Sequence, residues 1–173
     1  TWGDWVAALD ALQRSGVEHP LLLPLNEFEP LLALALQQGE PLLRDGGRYG
    51  HFRSAGFQRA LGFYLDRFRS GHAASIGQQQ IANLWQEFGR GRFAMFISGP
   101  WNIGELDRRL GAARQADWST APLPAPDGSA TLPGASTAGG ASLVVFRRSR
   151  RQADALALLA WLSQPAVQQR FHA

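Results

Sequence analysis

Apolar residues recur at helical spacing in several segments that glycine and proline separate from one another. Thr1 and Asp4 form a Thr-x-x-Asp capping box, and the apolar stripe behind it predicts a helix that ends near Gly16. A similar stripe follows Ser54, a suitable N-cap, and ends near Gly71. Stripes of this kind carry three tryptophans that are predicted to belong to the core: Trp5, Trp85 and Trp161.

Short apolar runs between these helical segments predict strands. The runs cover residues 20–25, 93–97, 118–121 and 142–146. The run at 93–97 is apolar throughout, which is typical of a strand buried on both faces. Helices that alternate with apolar strands predict an α/β fold, with helices flanking a central mixed sheet.

The strand at 93–97 leads directly into a helix, and this junction is the first candidate site. Gly99 and Pro100 end the strand, and Pro100 suits the first position of the helix that follows. Trp101 is therefore placed just beyond the carboxyl end of a strand. Ligands of open α/β sheets collect at such ends, where a flat aromatic side chain can stack on one.

The composition is that of a folded domain and excludes few functions. The 173 residues, 45% of them hydrophobic, are enough for one core. The net charge is +3, and all 17 basic residues are arginine, concentrated at 44–69 and 147–151. These arginines favour solvated helix faces over a nucleic-acid site, because exposed aromatic residues do not alternate with them. No apolar run approaches the about 20 residues that a membrane span needs.

The usual motifs of metal, nucleotide and serine-nucleophile sites are missing from the sequence. Its histidines, His19, His51, His72 and His172, lack the spacing of metal ligands, and there is no cysteine. No G-x-S-x-G elbow, dinucleotide fingerprint or Walker loop is present. We therefore predict neither a metal nor a cofactor.

Four segments, in this order along the chain, carry a resemblance to a known family. They are residues 92–105 with Ser98-Gly-Pro-Trp101 as their most specific part, residues 122–128, residues 139–145 and residues 160–171. Together they resemble the extracellular solute-binding proteins of ABC sugar importers, in particular the maltose-binding-protein-like group. The resemblance implies that residues 1–173 form the second, C-terminal lobe of a type II periplasmic-binding-protein-like fold. It also implies an incomplete lobe, without the first lobe or the C-terminal helices.

The function that the resemblance implies is non-catalytic binding of an oligosaccharide, such as a maltose-like or trehalose-like sugar, in a cleft between two lobes. Trp101 matches an aromatic residue that contacts the sugar in that family. The implied partners are the sugar, the membrane permease of an ABC importer and the first lobe, with no nucleic acid. The implied protein is a monomer in the periplasm or outside the cell, and a lipid anchor is compatible with the family.

The residues after the strand at 20–25 are the second candidate site. Asn26, Glu27 or Glu29 can accept hydrogen bonds from sugar hydroxyls, since a carboxylate takes two such donors and fixes their orientation. Glu29 can equally serve the first turn of the next helix, where an acidic residue favours the helix dipole. A carbohydrate-active hydrolase that uses Glu27 or Glu29 is the alternative function, although carboxylates two residues apart in a loop rarely face each other across a substrate. The family has an aromatic residue in this loop, and Phe28 or Glu29 occupies that position.

Three further residues complete the predicted binding set. Asn102 can donate its amide to a sugar hydroxyl or cap the helix that begins beside it. Gly139 and Gly140 match a family loop that closes over the ligand or lines the hinge, and glycines also allow close backbone approach in a plain connector.

Overall fold

The chain divides into two compact units, Thr1–Thr137 and Ala138–Ala173. The computed structural model describes residues 1–76, 83–129, 134, 136–137 and 143–172, without the side chains of residues 171 and 172. The elements of the first unit are α1 (Trp2–Arg14), β1 (Leu21–Leu22), α2 (Glu29–Leu36), β2 (Leu43–Arg44), β3 (Tyr49–Gly50), α3 (Ala55–Arg69), α4 (Leu84–Gly89), β4 (Met95–Phe96), α5 (Trp101–Leu110) and a 3₁₀ helix (Ala112–Asp117). Those of the second are α6 (Gln152–Leu162) and α7 (Pro165–His172).

The strands of the first unit are short and form two separate ladders. β1 pairs with β4 in parallel, with Leu21 opposite Met95 and Leu22 opposite Phe96. Leu21 also forms a parallel bridge with Ala73 on its other side. β2 and β3 form an antiparallel hairpin around the Gly46-Gly47 pair. The predicted α/β class is confirmed, and the parallel pair is the part of the sheet that bears on function.

The core packs α1, α2 and α3 around the parallel pair. The predicted capping box of α1 is present, with Thr1 and Asp4 bonded to each other's backbone. The Trp2 ring stacks on the Phe63 ring of α3 at a centroid distance of 4.2 Å. Trp5 is buried, as predicted. The buried cluster consists of Trp2, Trp5, Leu9, Leu21, Leu23, Leu34, Ala35, Ala60, Tyr64 and Ala73.

A buried polar network joins α1 and α3 to β1. The side chain of Arg67 donates from Nη1 to Nδ1 of His72, 3.2 Å away, so the ring N–H of His72 that faces Asp10 is on Nε2. That nitrogen donates to Asp10 Oδ1 at 2.8 Å. The carbonyl of His72 accepts from the Leu21 amide at 2.9 Å. His72 is 1% exposed, so this histidine holds the strand rather than forming a site.

The second unit corrects two predictions. Trp161 lies on α6 and is 53% exposed, so its assignment to the core is wrong. Residues 143–146 form no strand, and the part of that predicted strand at residue 142 lies outside the described residues. The N-cap of α6 is Arg151, whose backbone amide donates a hydrogen bond to Ser149 Oγ.

Candidate functional site

Two loops leave the same edge of the parallel sheet. Since β1 and β4 run in the same direction, the β1–α2 loop (residues 23–28) and the β4–α5 loop (residues 97–100) both begin at the carboxyl edge. The two candidate sites predicted from sequence are therefore brought to one edge of the fold.

Each of these loops ends in an exposed aromatic side chain. Phe28 is the N-cap of α2 and is 64% exposed. Trp101 is the first residue of α5 and is 66% exposed. An aromatic ring of this exposure contributes little to a core.

Beneath Trp101, the β4–α5 loop is held by a buried amide. Asn102 is 9% exposed, its amide nitrogen donates to Ser98 Oγ, and its Oδ1 accepts from Trp85 Nε1 at 3.0 Å. The Arg109 guanidinium lies over the Trp85 ring, 4.1 Å from the centroid. Asn102 thus fastens the loop to α4. Its side chain does not cap α5, whose N-cap is Pro100.

In the β1–α2 loop, Glu27 is the acidic side chain in the more enclosed position. Burial raises the pKa of the Glu27 carboxyl, and the negative charge of Glu29 raises it further. The charge of Glu27 also contributes to raising the pKa of Tyr64, after the larger effect of burial. Glu29 is exposed and begins α2, where its charge favours the helix dipole. Asn26 is exposed beside them.

A groove of about 840 Å³ runs along β4 and the start of α5. Residues 116–124 form its other wall. Residues 118–121, predicted as a strand, are outside any ladder in the structure. Met95 and Phe96 are half-buried rather than fully buried as predicted, because this open groove lies beside them. Residues 97–100 of the β4–α5 loop line this groove, whereas Trp101 and Glu27 are not among the lining residues.

Among the residues that the structure describes, no cluster of three or more His, Cys, Asp or Glu side chains could hold a metal ion. Within the same residues, no helix is long and apolar enough to cross a membrane. Gly139 and Gly140 lie outside the described residues.

The sequence did not reveal the support beneath Trp101. The sequence predicts Ser98 as part of a motif and Trp85 as a core residue. For Asn102, their shared partner, it predicts only a hydrogen bond to a sugar or a role as helix cap. The spacing of four between Ser98 and Asn102 was the available signal, since side chains four apart meet where a helix begins.

A family model described as bacterial extracellular solute-binding protein matches residues 1–173. The chain belongs to this family. Among solved structures, this solute-binding domain is similar to the sugar-binding protein MalE from the phytopathogen Xanthomonas citri, with 44% sequence identity and a TM-score of 0.77. The match covers 99% of this chain and 43% of that one, so the chain spans less than half the length of that relative. No curated protein sequence matches it.

Proposed function

We propose that this solute-binding domain supplies one wall of a carbohydrate site that serves an ABC importer. The family assignment and the similarity to a sugar-binding protein support a transported sugar as the ligand. A sugar of the maltose or trehalose kind fits a site with an aromatic face beside a carboxylate. The other wall comes from the first lobe, and the membrane permease receives the loaded protein as a monomer in the periplasm or outside the cell.

The observation that carries this proposal is the exposed ring of Trp101 at the same sheet edge as Glu27. The C–H face of a pyranose is flat and packs well against the electron-rich face of an aromatic ring. A carboxylate at that edge accepts hydrogen bonds from two hydroxyls and fixes how the sugar is turned. Phe28 offers a second aromatic surface from the neighbouring loop.

The remaining predicted residues take different roles in this proposal. Asn26 is exposed beside Glu27 and adds an amide for hydroxyl groups. Glu29 acts mainly on α2 and on the charge of Glu27. Asn102 acts through Ser98 and Trp85, because its amide is already bonded to both. For Gly139 and Gly140 the proposal is unchanged: they belong to a loop that closes over the ligand or lines the hinge.

Isothermal titration of maltose into the full-length protein tests the proposal. Trp101→Ala is expected to weaken binding by up to about tenfold, the scale of a lost aromatic contact. Trp161→Ala is the matched control, since it also removes an exposed tryptophan but from α6. Equal affinities for both variants and for the unaltered protein would overturn the proposal.

An assay of maltose hydrolysis on the full-length protein distinguishes a binding protein from a hydrolase. A carboxyl with a raised pKa is what the acid of a glycosidase requires, and Glu27 has that property. We expect no release of glucose from maltose, with or without Glu27→Gln and Glu29→Gln. Turnover that these substitutions abolish would establish the hydrolase instead. The isolated chain is expected to bind maltose weakly, because enclosing most of a ligand requires both walls of a cleft.

A further inference from the structure

The ring of Trp101 is folded back onto the loop that precedes it. A Cβ atom built on Gly99 would overlap Cζ3, Cη2 and Cε3 of the Trp101 ring. The ring edge therefore occupies the space that any side chain at position 99 would need. Gly104 lies in the middle of α5, the helix that Trp101 begins, and no atom lies within 4 Å of its ideal Cβ position.

The backbone conformation of Gly99 does not itself require glycine. Gly99 is not among the residues with positive φ, so an alanine can adopt its backbone geometry. The three atoms nearest to the Cβ position of Gly99 all belong to the Trp101 ring, so this ring is the main obstacle to a side chain there. A substitution here consequently reports on the placement of Trp101 and not on backbone strain.

The loop cannot retreat to make room for a side chain at position 99. The carbonyl of Gly99 accepts a hydrogen bond from the backbone N–H of Asn102 at 3.1 Å, and the Ser98 hydroxyl accepts one from the side-chain amide of Asn102. Pro100, with φ at −60°, fixes the peptide between them. Asn102 is itself buried and bonded to Trp85. The exposed ring is the part that is free to move, by rotation into another side-chain rotamer.

We propose that Gly99 is the positioning residue for the aromatic platform: its missing side chain lets the edge of the Trp101 ring pack against the β4–α5 loop at the carboxyl edge of the sheet. This inference rests on the proposed function, since it assigns how the sugar-stacking surface is oriented. A methyl group at position 99 displaces the Trp101 ring while leaving the fold and the loop in place.

The first measurement needs no ligand. In protein labelled with 5-fluorotryptophan, Trp101→Phe identifies the ¹⁹F resonance of Trp101. Gly99→Ala is expected to shift that resonance, and Gly104→Ala is expected to leave it unchanged. Thermal melts of both variants confirm that each is folded. An unshifted Trp101 resonance in folded Gly99→Ala overturns the proposal, and Gly99→Val, with a larger group at the same position, must increase the shift.

The second measurement is maltose affinity by calorimetry. We expect Gly99→Ala to weaken binding by between about twofold and tenfold, since it misplaces rather than removes the ring. Gly104→Ala should stay within about twofold of the unaltered protein, a change that is below the size of an ordinary contact. If Trp101→Ala weakens binding and Gly99→Ala does not, the positioning role is wrong and the sugar site stands. If Trp101→Ala leaves the affinity unchanged, the proposed function fails, whatever the resonance shows.

Discussion

The β1–α2 loop and the β4–α5 loop leave the same edge of the sheet, and each leads into a helix whose N-cap has no side-chain hydrogen bond. Each also carries an exposed aromatic ring, Phe28 or Trp101. Their polar groups differ. The first loop has a carboxyl whose pKa is raised, whereas the second is neutral and tied down by the buried Asn102.

This difference separates two tasks that a sugar site requires. Hydroxyl groups are oriented by charge and hydrogen bonds, the task that our proposal gives to Glu27 of the β1–α2 loop. The apolar face of a sugar needs a flat surface held in one place, the task that our proposal gives to Trp101 after the β4–α5 loop. A stacking surface benefits from rigid support, and the buried amide of Asn102 provides it.

The largest expected effect comes from removing that support. Asn102→Ala leaves the Trp85 Nε1 donor and the Ser98 hydroxyl without their partner. Because a buried polar group without a partner is costly, the free energy of unfolding should fall by about 1–3 kcal/mol. Urea unfolding measures this value.

Ser98→Ala is the control for the buried amide. It removes one bond from an exposed hydroxyl and leaves the bond between Asn102 and Trp85 in place. Ser98→Ala should lower the free energy of unfolding by an amount near the lower end of about 0.5–1.5 kcal/mol. Equal losses for the two variants would show that the bond to Trp85 contributes nothing, and the two loops would then not differ in rigidity.

The second prediction compares the two aromatic rings directly. Trp101 is larger than Phe28 and sits on the better supported loop. We therefore expect Phe28→Ala to weaken maltose binding less than Trp101→Ala does, with both effects between about twofold and tenfold. The variant with both changes shows whether the rings act on the same sugar. A larger loss for Phe28→Ala would reverse the assignment of the platform.

Sequence reasoning located both loops but not what holds them. The strand-to-helix junction at Trp101 follows from a glycine, a proline and an apolar run, which are local signals. The raised pKa of Glu27 comes mainly from its burial in the folded chain, and the bond of Asn102 to Trp85 joins residues 17 apart, so no local pattern specifies either. The prediction that Trp161 is buried was wrong for a similar reason, because an apolar stripe does not show whether another element covers it.

The third prediction uses the raised pKa of Glu27, whose ordinary value is 4.5. A carboxyl with a higher pKa in the folded chain binds its proton more readily there than in the unfolded chain. The stability it contributes is therefore present below pH 4.5 and lost as the pH rises through the raised pKa. Maltose affinity should move in the opposite direction, since the ionised carboxylate is the better acceptor for hydroxyl donors.

Glu27→Gln should remove both pH dependences together. The variant should be more stable than the unaltered protein above this pH window, and its affinity for maltose should be lower there. Urea unfolding and calorimetry at several pH values measure the two trends. If the affinity of the unaltered protein, compared with that of Glu27→Gln, does not rise with pH, Glu27 is not the sugar acceptor.

Glu29→Gln should have the smallest effect, and it separates the two roles that sequence left open for this residue. Removing its charge takes away one cause of the raised pKa of Glu27, so the pH profile of maltose affinity should move to lower pH. Burial is the larger cause and persists, so the shift is only partial. Above that window the affinity should be unchanged, because Glu29 is exposed and acts on the start of α2. A loss of affinity at all pH values would instead make Glu29 a direct ligand of the sugar, and the β1–α2 loop would then carry two acceptors.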